Sequence, residues 1–223
     1  MSEFQEFHKM GRWSREIIVT EKIDGTNAQI YIEALEGYRS MEPNCVYQAD
    51  GLAMWVGSRT RWITPANDNY GFADWALKNA EELLTLGPGR HFGEWWGQGI
   101  QRKYGLAEKR FSMFNVQRWC LHGETPIVTP ALNPKDEPKV QQVLPVCCGL
   151  VPVLYRGLMD EQHIKDALLD LQVNGSHAAP GFMDAEGIVI YHTASGVGFK
   201  KTIKNDETPK SLVPGPNRLA GGR

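Results

Sequence analysis

Glu21-Lys22-Ile23-Asp24-Gly25-Thr26-Asn27 is the stretch on which the reading of this chain turns. Ahead of it runs Glu16-Ile17-Ile18-Val19-Thr20, a β-branched run that reads as a buried strand. Asp24-Gly25 is a tight-turn signal. Behind it, Ala28, Ile30 and Ile32 alternate with Asn27, Gln29 and Glu33, the period of a half-buried strand. Lys22 and Asn27 are therefore expected at the rim of a hairpin-like corner, where a lysine either solvates a strand end or serves chemistry.

Composition narrows the choices. The 223 residues suffice for one sizeable core, and a formal charge of −2 advertises no global field for nucleic acid or membrane. No apolar run approaches the ~18 residues of a membrane span. The opening Met1-Ser2-Glu3-Phe4 lacks the basic start and apolar block of a secretion signal, so an intracellular, cytoplasmic protein is expected, phage-encoded origin included. Cys45, Cys120, Cys147 and Cys148 have no zinc-type spacing and read as buried thiols.

Residues 35–51 read as a loop with a short strand near Val46-Tyr47, and Leu52–Gly57 as a strand ending in Ser58-Arg59-Thr60-Arg61. Arg59 and Arg61 alternate, so on a strand end they would point to one side, either into water or toward phosphate. Phe72, Trp75, Ala76, Ala80, Leu83 and Leu84 recur at helical spacing, which predicts a helix from 71 to about 85. Arg90–Gly97 reads as a strand carrying Glu94 among large apolar residues; such a carboxylate is either paired with a cation or lines a cleft. Gly99–Gly105 is a basic loop containing Tyr104. Phe111–Val116 is a strand whose Phe111 and Phe114 fall on opposite faces. Residues 121–143 form a long surface excursion. Asp160 caps a helix with the face Ile164, Ala167, Leu168 and Leu171, ending at Asn174-Gly175. Ala185–Tyr191 and Val197–Lys204 read as two antiparallel strands, Lys200, Thr202 and Lys204 sharing one face of the second. Many strands with two helices predict an α+β fold of largely antiparallel sheets.

The order of these pieces is more specific than any one. At roughly 5% usage per residue type, K-x-D-G-x-N arises by chance in about one chain in a thousand of this length. Here it is followed by Ser58-Arg59, Phe92-Gly93-Glu94, Phe111 to Phe114, Glu186-Gly187 and Lys200. That succession resembles the covalent nucleotidyltransferase superfamily of RNA and DNA ligases and capping enzymes. Asn27, Glu21 and the Phe199-Lys200-x-Thr202 ending look most like the phage RNA ligase 2-like group. The resemblance covers about residues 8–205.

What the resemblance implies is an adenylyltransferase domain, residues 1–205, of the nucleotidyltransferase (ATP-grasp-like) type with flanking helices, then a flexible tail, 206–223, and no appended OB or helical domain. It implies an ATP-dependent RNA ligase in which Lys22 attacks the α-phosphorus of ATP and becomes lysyl-AMP. AMP then passes to an RNA 5′-phosphate and a 3′-hydroxyl displaces it. A free lysine titrates near ~10.4, so only about one in two thousand is a neutral nucleophile near pH 7; a neighbouring cation favours that neutral form. Lys200 would supply the cation and neutralise charge on the α-phosphate. The family often has a second lysine where this chain has Thr202, and Lys204 or Lys201 would reach instead. Glu186 matches the acid associated with Mg²⁺ or Mn²⁺, Glu94 the acceptor of a ribose hydroxyl, and Phe114 the ring that stacks on adenine. Arg59 would contact nucleotide and RNA end, Asn27 the ribose or the 3′ end, and Glu21 and Ile23 the adenine through backbone. Partners would be RNA 5′-phosphate and 3′-hydroxyl ends, a nicked duplex among them, gripped through Arg61, Arg102 and Lys103, by a monomer with no membrane. Two other readings stay open: DNA nick sealing or RNA guanylyl transfer on the same scaffold, and a nucleic-acid-binding module without catalysis.

Overall fold

The computed structural model describes residues 4–7, 10–36, 42–130 and 137–207. The expected tail from 208 onward, and parts of the loops expected at 35–51 and 121–143, lie outside the described residues. The first elements in chain order are β1 (Glu16–Lys22), β2 (Thr26–Ala34), β3 (Cys45–Ala49), β4 (Leu52–Gly57), β5 (Trp62–Ile63), α1 (Phe72–Lys78), α2 (Ala80–Leu84), β6 (Gly89–Gly97) and β7 (Lys109–Met113). Five two-residue strands follow: β8 (Trp119–Cys120), β9 (Val128–Thr129), β10 (Lys139–Val140), β11 (Gln142–Val143) and β12 (Gly149–Leu150). The last are β13 (Val153–Leu158), α3 (Glu161–Asn174), β14 (Gly187–His192) and β15 (Val197–Thr202). The fold is α+β, and no helix among the described residues is long and apolar enough to cross a membrane.

The chain divides into two compact units, one of residues 1–22 with 153–223 and one of residues 23–152. In the first, an antiparallel sheet runs in the order β13-β1-β14-β15. Ile17 and Val19 of β1 and Ile188 and Ile190 of β14 bury one face against Ala167 and Leu171 of α3. Those helix residues are four apart and so fall on one side. The Asp160 side chain accepts the Gln162 N–H at 2.8 Å and Gly175 ends the helix, as its sequence predicts. Because side chains alternate along a strand, Lys22 lies on the sheet face opposite α3, and Glu21 on the α3 face.

In the second unit the main sheet runs β12-β7-β6-β2-β4-β3, with β5 paired to β4. Ala28, Ile30 and Ile32 of β2, Met54 and Val56 of β4 and Phe111 and Met113 of β7 bury one face with Phe72, Ala76 and Leu83 from α1 and α2. The single helix expected at 71–85 is two, because Asn79 leaves helical geometry at φ −111° and ψ 18° and gives its side-chain amide to the Trp75 carbonyl at 2.7 Å. Of the thiols, Cys120 and Cys148 are buried while Cys45 and Cys147 are half-buried; a hydrogen bond with Cys147, then burial, pushes the Cys148 thiol up.

The hairpin expected at Asp24-Gly25 is not one. β1 pairs with β13 and β14, while β2 pairs with β4 and β6, and the chain passes from the first unit to the second between Lys22 and Ile23. Gly25 is needed for space instead of turn dihedrals: a Cβ there would collide with the Trp95 carbonyl oxygen and lie 2.7 Å from Trp96 Cβ.

Candidate active site

In the first unit, β1 delivers Lys22 to the end of the sheet, opposite Gly187 of β14, and Gly187 in turn lies opposite Thr202 of β15. Lys22 Nζ donates to Glu186 Oε2 at 2.6 Å. The Glu186 side chain is 1% exposed and that of Lys22 22%. Glutamate is seldom buried to this degree without a cation. Gly187 is what lets the strand begin here, since a Cβ would run into the Lys201 carbonyl oxygen.

Lys200 lies opposite Val189, which pairs with Thr20, so it shares the Lys22 face one pair of rungs along. It is exposed. Thr202 is half-buried, its hydroxyl on the Lys204 carbonyl and its N–H on Asp206 at 2.7 Å. That N–H, and then Lys201 at 3.2 Å, hold the Asp206 carboxyl below the usual carboxylate range. Lys204 Nζ meets Asp184 at 2.7 Å. Both lysines expected to reach in place of the family's second lysine are thus engaged by acids, and Lys201 lies on the face opposite Lys200. The Glu21 carboxylate is buried on the α3 side, where it accepts from the Ser176 hydroxyl at 2.5 Å and the Ala178 N–H at 2.8 Å. It ties the segment after α3 to β1 by side chain, leaving only its backbone for any ligand.

In the second unit, Glu94 of β6 faces Asn27 of β2 across the ladder. Its two oxygens accept from the Gly25 N–H at 3.0 Å and the Asn27 amide at 3.1 Å. Ile23 is buried. Phe114 follows β7, 41% exposed, with its N–H on the Phe92 carbonyl, whereas Phe111 is 1% exposed; the two do take opposite faces. Arg59 and Arg61 do not lie on a strand: β4 ends at Gly57, and both sit exposed in the bend before β5. The Arg61 guanidinium donates to the Trp62 and Asn67 carbonyls, so its expected role in gripping RNA has a local alternative.

Tyr104 and Arg102, expected in a basic loop, act on Asp24, a link that the sequence does not mark. Tyr104 Oη accepts the Asp24 N–H at 2.7 Å, and Arg102 Nε donates to Asp24 Oδ2 at 3.0 Å. Tyr104 is 2% exposed, edge-on to Trp96. Gln101, Lys103 and Tyr104 all have positive φ, at 42°, 60° and 52°. Such backbone is uncommon outside glycine, and the buried ring and the Asp24 contacts offset its cost. Arg102, read from the sequence as an RNA contact, holds the turn after Lys22.

A family model described as RNA ligase matches residues 15–205. The chain belongs to the RNA ligase family. Among curated proteins, this RNA ligase family member is 30% identical over 101 residues to "Protein nucleotidyltransferase YdiU" of Pectobacterium atrosepticum, a match covering 42% of the chain and 21% of that protein. Among solved structures it is similar to an apo mutant of Naegleria gruberi RNA ligase, with 18% identity, a TM-score of 0.49, and coverage of 85% of this chain and 50% of that one. A mutant of the same ligase with ATP and Mn gives 17% identity, a TM-score of 0.48, and coverage of 85% and 50%. The chain thus spans about half the length of these structures and about a fifth of the curated relative.

Proposed function

We propose that this RNA ligase family chain is an ATP-dependent RNA ligase that works through lysyl-AMP on Lys22. The observation that carries the reading is the 2.6 Å contact of Lys22 Nζ with the buried Glu186 carboxylate. An ion-paired ammonium has no lone pair with which to attack. The pair holds the amine in place, and the first step begins when the amine, its side chain 22% exposed, gives up one proton to water. A bond then forms from Nζ to the α-phosphorus of ATP as the bond to the pyrophosphate oxygen breaks. Lys200, on the Lys22 face, offsets the charge that builds on the phosphate. An oxygen of an RNA 5′-phosphate next attacks the same phosphorus and frees Lys22. Finally a 3′-hydroxyl attacks the 5′-phosphorus and AMP leaves. Glu94 and Asn27 are the ribose acceptor and its partner, and Phe114 is the ring for adenine.

Among the described residues no cluster of three or more His, Cys, Asp or Glu side chains could cage a metal ion. The buried carboxylate of Glu186 nonetheless suits magnesium or manganese, which bind through one or two carboxylates with the remaining positions on phosphate and water. Such an ion would neutralise phosphate charge during transfer.

The test is intact-protein mass spectrometry after incubation with ATP and magnesium, with GTP in parallel. The expected result is an AMP adduct that Lys22→Ala abolishes, followed by sealing of nicked RNA in preference to nicked DNA. An adduct formed from GTP alone, or one that survives Lys22→Ala, would overturn the proposal.

A further inference from the structure

Arg90 and Phe92, which no step above uses, belong to an ordered pattern on the sheet of the second unit. On the face away from α1 and α2, β6 carries Arg90, Phe92 and Glu94 at alternate positions. Phe92 is 50% exposed in the middle of the sheet, and the pairing that sets Gly93 opposite Met113 places it beside Phe114. Two large rings left in water at the centre of a sheet cost hydration free energy that packing does not recover. Arg90 lies opposite Tyr31. Its guanidinium sits 4.4 Å from the Tyr31 ring centroid and 5.4 Å from that of Trp62, and it donates to Gln29 Oε1 at 3.2 Å. Gln29 is fixed in turn by donating to the Ser58 carbonyl at 3.2 Å. A cation that would otherwise sweep through solvent is held flat, with one plane on aromatic rings and the residue exposed.

We infer that this strip binds an unpaired RNA strand, bases stacking on Phe92 and on the Arg90 guanidinium, with the charge of Arg90 serving the phosphates. Bases stack on aromatic rings and on guanidinium planes alike, without demanding sequence. Residues two apart on a strand are ~6.8 Å from one another, close to the step of an extended single strand. The strip starts beside Glu94, Asn27 and Phe114, the residues assigned above to ribose and adenine. The rings would serve a protein partner as well; RNA is favoured because the guanidinium, held flat over Tyr31 and Trp62, is a plane on which a base stacks. The inference rests on the RNA ligase reading for the choice of RNA.

Fluorescence anisotropy of a labelled single-stranded RNA carrying a 5′-hydroxyl, with the full chain and no ATP, tests it apart from adduct formation. Phe92→Ser is expected to weaken binding by about fivefold or more, the loss of one stacked base. Arg90→Gln should weaken it too and reduce the slope of log affinity against log salt by about 0.7, one phosphate contact on a single strand. Arg90→Lys should restore that slope without restoring the affinity. Both sites are exposed, and unfolding curves confirm that the variants fold. Variants that bind single-stranded RNA like the parent, or a parent chain that prefers duplex, would overturn the inference whether or not Lys22 takes up AMP.

Discussion

Removing Lys22 should cost more stability than neutralising its partner, and the asymmetry follows from burial. In Lys22→Met the stem stays but the ammonium goes, leaving the Glu186 carboxylate, 1% exposed, without the cation 2.6 Å away. Breaking a buried pair in this way costs about 3 to 5 kcal/mol. Glu186→Gln leaves the other partner behind, an ammonium on a flexible stem that is already 22% exposed and can turn toward water. That loss should be near the ~1 kcal/mol of an ordinary hydrogen bond. The double variant should lose less than the sum of the two, because each single variant strands a group that the double one does not. Thermal unfolding followed by circular dichroism measures all three, and at this chain length ~3 kcal/mol corresponds to a midpoint drop of about 6 to 12 °C. If Lys22→Met is no less stable than Glu186→Gln, or if the two costs simply add, the pair is not the buried ion pair described here.

Two further outcomes follow from the second unit. Gly25→Ala should destabilise by about 1 to 3 kcal/mol, because the new methyl meets the Trp95 carbonyl and Trp96 Cβ, neither of which can withdraw from the sheet; a loss below about 0.5 kcal/mol in urea would contradict that crowding. His91 is 2% exposed, its Nε2 on the Gly87 carbonyl and its Nδ1 buried without a hydrogen-bond partner among the described residues. Burial first, with Arg118 adding to it, pulls its pKa below the usual histidine value. The unfolded chain therefore binds the proton first. The stability from keeping His91 neutral is complete above about pH 6.5 and falls as pH drops below it, by at most about 1.4 kcal/mol per pH unit. Comparing His91→Gln with the parent from pH 7.5 to 5 should show a shallower fall in the variant, and parallel curves would refute the assignment.

Local regularity explains which parts could be read in advance. The α3 face of Ile164, Ala167, Leu168 and Leu171 with its Asp160 cap, the alternation in β2, and the antiparallel pair β14 and β15 each rest on neighbours in sequence. The helix broken at Asn79 was missed because one side chain outcompeted a periodic pattern. Arg59 and Arg61 were misplaced because strand ends carry little signal. Tyr104 and Arg102 act on Asp24 from 80 and 78 residues away, and nothing nearby in sequence marks them.

The order of residue types alone pointed to the RNA ligase family, because that succession of a lysine after a buried strand, two glutamates and a late lysine is carried by the chain whatever surrounds it. Tertiary structure decided how they are held. Lys22 meets Glu186 only because β1 and β14 lie side by side, and Glu94 receives Gly25 and Asn27 only because β6 pairs with β2. The same pairing, not any local motif, lines up Arg90, Phe92 and Tyr31 on one exposed face. Strand alternation tells which residues share a side, but which strands become neighbours is settled by long-range packing.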